Sequence, residues 1–195
     1  MTTLTDRFTE ALVYCASIHR TQTRKGKPTP YVAHLLSAAA LVLEDGGDED
    51  EAITALLHDS LEDQPDKTSP EDIRQRFGDR VLSLVVACSD TPPDYTGGPK
   101  PPWRQRKEAY LLHVSSGASG ALRVSLADKV HNTRELLADY RHEGDAMWIR
   151  FNAGKADQLW LLRSLVVAFD QGGARGPLLD ELDRVVSELE RLAAA

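Results

Sequence analysis

A histidine and three carboxylates fall within six residues of this chain: His58, Asp59, Glu62 and Asp63. They follow the apolar run 52–57, whose periodicity predicts a helix entering a hydrophobic core. On a single helix over about 49–62, residues three and four apart share a face, so all four side chains can face one cavity. A carboxylate is costly to bury unless a cation, hydrogen bonds or water compensates its charge. The alternative is a helix end with solvated acids, the commoner explanation of an isolated His-Asp pair.

Two further polar residues stand on predicted core helices. His34 lies in the first turn of a helix predicted for 31–43, and Asp128 lies in a largely apolar turn of a long helix predicted for about 121–140. Either residue alone is a weak signal, although a mid-helix Asp needs a reason. With His58 and Asp59 they supply two imidazoles and two carboxylates, a set typical of a divalent-metal site with open positions for water. Nitrogen and oxygen donors without a thiolate suit manganese, iron, zinc or magnesium.

The loop of residues 20–30 carries four cations and no acid: Arg20, Arg24, Lys25 and Lys27. A glycine and two prolines in this loop prevent a helix. The segment is therefore either a solvated basic loop or a clamp for a phosphate group. A second group of cations lies on the helix predicted for 103–114, and its relevance depends on whether it faces the same pocket.

The hydrophobic pattern predicts an all-α fold, a helical bundle of about eight to ten helices. The main helical stretches are predicted at 5–19, 31–43, 49–62, 70–77, 81–88, 103–114, 121–140, 145–169 and 177–193. The run 122–126 could alternate as a short strand, but no second strand-like run offers pairing. The Pro- and Gly-rich segment 89–102 is predicted to be a long loop of the kind that often covers a binding site. The last helix can pack within the chain or form a homodimer.

Length and composition are those of an ordinary globular protein. The 195 residues suit a single domain, 1–195, with a core at about 5–140 and C-terminal helices at about 145–195 packing on it. A formal net charge of −7 argues against nonspecific nucleic-acid binding, which needs clustered cationic charge. Two cysteines are too few for a disulfide framework or a thiolate zinc site. The chain starts without a signal-peptide pattern and has no apolar run near the length of a membrane span, so a soluble cytoplasmic protein is expected.

Three linked motifs resemble a known enzyme family. They are Tyr-Val-Ala-His at 31–34, Ala-Leu-Leu-His-Asp-Ser-Leu-Glu-Asp at 55–63, and Leu-Ala-Asp-Lys-Val-His-Asn at 126–132. In this order they resemble the HD-domain hydrolase half of the RelA/SpoT alarmone enzymes, and the stand-alone small alarmone hydrolases match best in length. The resemblance extends over about 15–135. It implies an HD-domain fold and hydrolysis of the 3′-pyrophosphate of guanosine tetra- or pentaphosphate.

The resemblance also implies roles for individual residues. The metal ligands, normally for Mn²⁺, would be His34, His58, Asp59 and Asp128. The acidic pair that activates or positions the attacking water would be Glu62 and Asp63. The residues of the nucleotide pocket would be Arg24 and Lys25, with Asn132 near the ribose. The implied partner is a nucleotide substrate.

Two departures from the family pattern leave the substrate open. The segments 92–102 and 148–163 would help to shape the base pocket, and neither follows the family closely. An adenosine alarmone is therefore an alternative substrate. Another HD phosphohydrolase, acting on NADPH or on a nucleoside mono- or triphosphate, is a second alternative. A non-catalytic module that binds a nucleotide and regulates a partner is a third. No synthetase or regulatory domain fits in the remaining residues, so a hydrolase alone is expected.

Overall fold

The computed structural model describes residues 2–89, 101–117 and 120–194, and this part of the chain is helical. Its α-helices are α1 (Asp6–Ile18), α2 (Val32–Glu44), α3 (Glu49–Leu57), α4 (Ser60–Asp63), α5 (Pro70–Phe77), α6 (Asp79–Cys88), α7 (Trp103–Ser115), α8 (Leu122–Glu143), α9 (Lys155–Gln171) and α10 (Pro177–Ala193). A 3-10 helix spans Gly144–Arg150. Within the described residues, β-type pairing is limited to an isolated bridge between Thr23 and Pro30. The predicted all-α fold is confirmed.

Local sequence determines where several helices begin. The Thr5 hydroxyl caps α1 by accepting a hydrogen bond from the Arg7 amide. Asp48 and Glu51 form a reciprocal capping box at the start of α3. Ser69 caps α5, whose first residue is a proline with φ already suited to a helix. These caps satisfy backbone amides that have no partner inside their own helix.

Helix α3 is the centre of the core. Every residue from Glu51 to Leu57 is buried, and α3 packs against α1, α2, α6 and α8. A helix that is buried on nearly all sides must be apolar around its circumference. The chain leaves α3 at the edge of this core, where His58 is buried, Asp59 is half-buried and Asp63 is exposed.

The predicted helix over 49–62 is wrong in one respect, because it is interrupted at His58 and Asp59. Helix α3 ends at Leu57, and the single turn α4 begins at Ser60. The Ser60 hydroxyl donates a hydrogen bond to the Leu57 carbonyl at 2.6 Å and so satisfies an acceptor at the end of α3. The predicted helical spacing of the four polar side chains therefore does not hold across the break.

The C-terminal region also differs in detail from its prediction. The helix predicted at 145–169 is instead the 3-10 helix and α9, separated by the irregular residues 151–154. The predicted long helix over 121–140 is present as α8 and is slightly longer. Of the loop predicted at 89–102, residues 90–100 lie outside the described part of the chain.

Helix α10 packs within the chain, against α8 and α9. Its buried face consists of Leu178, Leu179, Leu182, Val185, Val186 and Leu189. Helix α8 is thereby packed against α10 as well as against α2 and α3. No helix in the described ranges is both long and apolar enough to cross a membrane.

Candidate metal centre and nucleotide pocket

His58 and Asp59 occupy the break between α3 and α4, at the edge of the core. The His58 side chain is only 6% exposed, and its Nδ1 lies 2.9 Å from the Ala55 carbonyl oxygen. A carbonyl can only accept, so Nδ1 carries the proton and donates it. In the neutral form of the ring Nε2 is therefore the free nitrogen, and this is the form of histidine that binds metal.

His34, in the first turn of α2, is oriented in a similar way by His131 of α8. The two Nδ1 atoms lie 2.8 Å apart, so one must donate and the other accept. Burial, followed by the neighbouring His34, lowers the pKa of His131 to about 4, so its ring is neutral and can accept. When His34 donates through Nδ1, its Nε2 is also bare.

The two Nε2 atoms and two carboxylate oxygens surround one small volume. The Asp59 Oδ2 atom lies 3.1 Å from His58 Nε2 and 3.7 Å from His34 Nε2. The Asp128 Oδ1 atom lies 3.2 Å from His34 Nε2 and 3.7 Å from His58 Nε2. Residues from α2, from the α3–α4 break and from α8 thus meet at one point, as the four predicted ligands require.

The donor set fits a divalent cation. Both Nε2 atoms are buried, and neither has a well-aligned hydrogen bond despite the nearby carboxylates. A buried polar atom without a partner is costly, and a cation shared with two carboxylates would satisfy all four groups. His34, His58 and Asp59 are also the single cluster of metal-ligating side chains found among the described residues. We refer to these three residues and Asp128 as the metal centre.

Polar neighbours hold the two carboxylates in place. Tyr31 Oη donates a hydrogen bond to Asp59 Oδ2 at 2.5 Å. Lys129 Nζ donates to Asp128 Oδ2, and Asn132 Nδ2 donates to Asp128 Oδ1. Such outer contacts orient metal ligands and tune their basicity. Tyr31 and Lys129 were not among the predicted site residues, although Tyr31 lies in the motif at 31–34 and Lys129 in the motif at 126–132.

Electrostatics keep both carboxylates charged. Burial alone would raise the pKa of Asp59, but the charge of the adjacent His58 outweighs burial and lowers it below its usual range. Burial likewise acts to raise the pKa of Asp128, yet Lys129 and the two histidines bring it well below its usual range. Burial lowers the pKa of His58, but Asp59 and Asp128 outweigh burial and raise it well above 6.5 in the metal-free protein. The Asp59 and Asp128 carboxylates are therefore negatively charged and attract a cation to the metal centre.

A cavity of about 450 Å³ opens beside the metal centre, between the loop 20–30, α8 and the residues after the 3-10 helix. Its lining residues are Gln22, Thr23, Arg24, Lys25, Lys27, Tyr31, Asp63, Asn132, Glu135, Leu136, Asp139, Arg150 and Phe151. The predicted substrate residues Arg24, Lys25 and Asn132 are among them, as is the predicted catalytic Asp63. We call this cavity the nucleotide pocket, since its volume suits a nucleotide-sized ligand.

Two cations of the loop 20–30 are paired with acids on α8. Arg24 donates from Nε and Nη2 to Glu135 Oε2 at 3.0 and 2.5 Å, and from Nη2 also to Asn132 Oδ1. Lys27 Nζ lies 2.5 Å from Asp139 Oδ1. The acids were not predicted, although Asp128, Asn132, Glu135 and Asp139 recur at helical spacing and could have been recognised as one face of α8.

The 3-10 helix and the residues after it close the far side of the pocket. Arg150 Nη2 lies 3.2 Å from Asp139 Oδ2, and Lys25 Nζ lies 6.0 Å from the centre of the Phe151 ring. Gly26 has φ of 72°, and a Cβ atom there would lie 3.1 Å from Arg150 Cδ. A glycine is therefore required where the loop passes across Arg150. Neither Arg150 nor Phe151 was predicted as a site residue.

The two predicted catalytic acids occupy different positions. Asp63 lines the nucleotide pocket, and its Oδ2 accepts a hydrogen bond from Gln22 Nε2 at 2.7 Å. Glu62 Oε1 instead accepts a hydrogen bond from the Ser89 hydroxyl, and Glu62 is not among the lining residues. Of the second group of cations, Arg104 lies elsewhere, since its guanidinium stacks on Trp160 at 3.1 Å from the ring centre.

Comparison with known proteins agrees with this geometry. A family model described as the HD domain matches residues 11–158. The chain belongs to the HD-domain family. The match covers the metal centre and every residue that lines the nucleotide pocket, so the HD-domain fold predicted from the sequence is confirmed.

Relatives within the HD-domain family are alarmone hydrolases by name. Guanosine-3′,5′-bis(diphosphate) 3′-pyrophosphohydrolase MESH1 of Xenopus tropicalis is 36% identical over 130 residues, which are 65% of this chain and 68% of that protein. The human protein of the same name is 34% identical with the same coverage. These relatives confirm the resemblance to the alarmone hydrolases that the three motifs predicted.

Solved structures of HD-domain relatives extend the likeness beyond the motifs. One, described as a metazoan ortholog of SpoT that hydrolyzes ppGpp, has a TM-score of 0.75 and 26% identity, covering 97% of this chain and 98% of its own. A crystal structure from Listeria monocytogenes EGD-e has a TM-score of 0.69 and 25% identity, covering 87% and 99%. The first match includes the C-terminal helices α9 and α10, which lie largely outside the motifs.

Proposed function

We propose that this chain is a metal-dependent phosphohydrolase that removes the 3′-pyrophosphate of guanosine tetra- or pentaphosphate, releasing pyrophosphate and GDP or GTP. The observation that carries the proposal is the pair of buried, unpartnered Nε2 atoms facing two carboxylates at the edge of a cation-lined pocket. Relatives with 34–36% identity carry the name of this activity. The guanine base is assigned from those relatives.

The metal centre would bind one divalent cation, for which we propose Mn²⁺. His34 and His58 would bind through Nε2, while Asp59 and Asp128 would bind through carboxylate oxygens. A bound divalent ion lowers the pKa of water and polarises a phosphoryl oxygen. The mixture of two imidazoles and two carboxylates is compatible with several metals, and Mn²⁺ is the ion that the family resemblance implies.

Asp63 would act as the group that orients the attacking water and accepts its proton. It faces the nucleotide pocket, only four residues after Asp59 in the chain. In the proposed step, the water oxygen bonds to the phosphorus attached to O3′, and the P–O3′ bond breaks. One proton of the water passes to the carboxylate, which releases it to solvent, and the departing O3′ takes up a proton from solvent to become the ribose hydroxyl. Glu62 would support this acid from the adjacent position.

Arg24, Lys25 and Asn132 would bind the nucleotide beside this step. Arg24 presents a planar guanidinium that can form two parallel hydrogen bonds with a phosphate. Its present partner Glu135 is a half-buried carboxylate, which a phosphate group can replace. Asn132 joins the two parts of the site, because it contacts both Arg24 and Asp128.

A substrate panel with Mn²⁺ tests the proposed function. We expect guanosine tetraphosphate to yield pyrophosphate, with a lower kcat/KM for the adenosine alarmone, for NADPH and for nucleoside mono- and triphosphates. Release of orthophosphate alone would contradict the alarmone assignment and favour another HD phosphohydrolase. Nucleotide binding without any turnover would favour a regulatory module.

Two substitutions locate the activity in the metal centre. His58→Ala and Asp59→Ala should abolish turnover, whereas Asp79→Ala removes a carboxylate that is 89% exposed on the surface and should retain it. Full turnover in the first two variants would remove the proposed site altogether. Both variants should be compared at saturating Mn²⁺ and after metal removal, so that weakened binding is separated from lost chemistry.

We further propose that residues 1–195 act as a single HD-type domain, because α9 and α10 pack on α7 and α8. A cytoplasmic location and a homodimer stay predictions from the sequence. Light scattering of the purified chain would decide between a monomer and a dimer.

A further inference from the structure

Gln22 lies between the proposed catalytic acid and the interior of the protein. Its main chain is fixed on both sides, since its amide donates to the His19 carbonyl at 3.0 Å and its carbonyl accepts from the Tyr31 amide at 2.9 Å. Its side chain donates from Nε2 to Asp63 Oδ2 at 2.7 Å. An otherwise exposed carboxylate is thereby tied to a rigid part of the loop.

The orientation of the Gln22 amide follows from its neighbours. An ionised carboxylate can only accept hydrogen bonds, so the NH2 group of Gln22 must face Asp63. Its Oε1 then points the other way, where His19 Nδ1 and Gln64 Nε2 each lie 2.6 Å from it. Both of these atoms must donate, which fixes the His19 proton on Nδ1.

The His19 ring is held in place by burial and stacking. The ring is 1% exposed and stacks on Tyr31, with ring centres 5.5 Å apart and planes at 19°. Its Nε2 is buried and has no hydrogen-bond partner among the described residues, as expected for a ring protonated on Nδ1 in apolar contacts. The same Tyr31 donates to Asp59 Oδ2, so one stacked unit contacts both the metal centre and, through Gln22, the catalytic acid.

We propose that His19 and Gln22 form a positioning pair that holds the Asp63 carboxylate in the orientation needed to accept a proton from the attacking water. This inference rests on the role given to Asp63 in the proposed function. Neither member of the pair needs to touch the substrate at the reacting atoms. Gln22 supplies a donor to the carboxylate, and His19 selects the amide orientation in which that donor faces Asp63.

The variant Gln22→Glu tests the pair directly. A glutamate can still accept from His19 and Gln64, but it cannot donate to Asp63 and repels it. We expect kcat to fall by roughly 10- to 100-fold, because a misplaced catalytic group affects the chemical step. KM should rise as well, because Gln22 lines the nucleotide pocket and the new charge repels phosphate groups, so kcat is the readout of positioning. Mn²⁺ affinity, measured by titration, should equal that of the wild type. The matched control is Gln75→Glu, the same change at an exposed residue of α5, which should keep normal kcat.

A double-mutant cycle separates positioning from a general structural effect. In an Asp63→Asn background the carboxylate that Gln22 orients is absent. Adding Gln22→Glu to that variant should therefore change kcat by about twofold or less. Equal effects of Gln22→Glu in both backgrounds would overturn the pair. Normal kcat in Gln22→Glu, with loss of kcat in Asp63→Asn, would overturn the pair and leave the proposed function intact. Normal kcat in Asp63→Asn would overturn the role of Asp63 itself.

The proton on His19 provides a test that does not depend on activity. Long-range 1H–15N spectra of the imidazole groups in the metal-free protein distinguish a ring protonated on Nδ1 from one protonated on Nε2. We expect His19 to be protonated on Nδ1 in the wild type and to lose this preference in Gln22→Met. A proton on Nε2 of His19 in the wild type would overturn the proposed pair.

Discussion

The metal centre and the nucleotide pocket adjoin each other but are built differently. The ligands of the metal centre stand on core helices or in the break between α3 and α4, and the residues His34 and His58 are 1% and 6% exposed. In the pocket, Arg24 and Lys27 stand on the loop 20–30 and are held by ion pairs with Glu135 and Asp139. The first region is fixed by packing, whereas the second is held by contacts that a substrate can replace.

This difference suggests that the metal centre carries out the chemical step, whereas the nucleotide pocket binds the substrate. A centre whose side chains are fixed before binding loses little free energy in reorganisation when it stabilises charge. A pocket whose cations already have carboxylate partners must exchange those partners for phosphates. Binding is therefore expected to be the more adjustable property, and the two regions should respond differently to substitution.

The largest contrast is expected between two carboxylates of the same helix. Asp128→Asn removes a charge from the metal centre, so Mn²⁺ affinity should fall by at least about 10- to 100-fold, and kcat should fall with it. Asp139→Asn, three turns further along α8, should leave Mn²⁺ affinity unchanged. Titration of metal-free protein with Mn²⁺ measures both. Equal losses of affinity would mean that the two regions are not separate.

A charge removed from the pocket should affect binding instead of chemistry. Arg24→Ala removes hydrogen bonds to a charged group, each worth about 1.5–3 kcal/mol, so KM should rise by roughly 10- to 100-fold. Steady-state kinetics at saturating Mn²⁺ check this, with Arg175→Ala as a control at an exposed arginine of the surface. A fall in kcat with unchanged KM would place Arg24 in the chemical step.

The Mn²⁺ affinity of the metal centre should depend on pH. Asp59 and Asp128 raise the pKa of His58 in the metal-free protein, and a metal ion at Nε2 must displace that proton. As pH falls through this raised pKa, Mn²⁺ affinity should decrease by up to about tenfold per pH unit, and it should recover as pH rises. Calorimetry in buffers with different ionisation enthalpies measures the proton release. Affinity independent of pH would contradict the assigned state of His58.

The smallest effect is expected from the acid that holds Arg24. Glu135→Gln weakens a partly exposed ion pair worth no more than about 1 kcal/mol, so KM should change by only a few-fold. Because the competing carboxylate is lost, we expect KM to decrease. Kinetics at low and high salt check the origin of the effect, which screening should diminish. An increase in KM would show that Glu135 itself contacts the substrate.

Part of the candidate metal centre could be predicted from the sequence because some polar residues stand out from apolar surroundings. Asp128 lies in an apolar turn, and His58 and Asp59 follow an apolar helix directly. The interruption of that helix at His58 could not be predicted, since no glycine or proline marks it and the apolar period continues up to it. It arises from the Ser60 contact with the Leu57 carbonyl and from the tertiary packing around His58.

The pocket was less predictable because its contacts join distant parts of the chain. Arg24 and Glu135 are 111 residues apart, and either is an ordinary charged surface residue when considered alone. Arg150 and Phe151 follow from the 3-10 helix and the irregular residues after it, where the sequence predicted a continuous α-helix. The helices that carry the core were predictable from periodicity, but the irregular segments between them were not.

The most direct test of the central claim is the anomalous scattering of manganese in crystals grown with Mn²⁺ and a non-hydrolysable analogue of guanosine tetraphosphate. We predict one strong peak among His34 Nε2, His58 Nε2, Asp59 and Asp128, with the 3′-phosphates beside it and the nucleoside in the adjoining pocket. A metal peak elsewhere, or a nucleotide bound away from these four residues, would contradict the account.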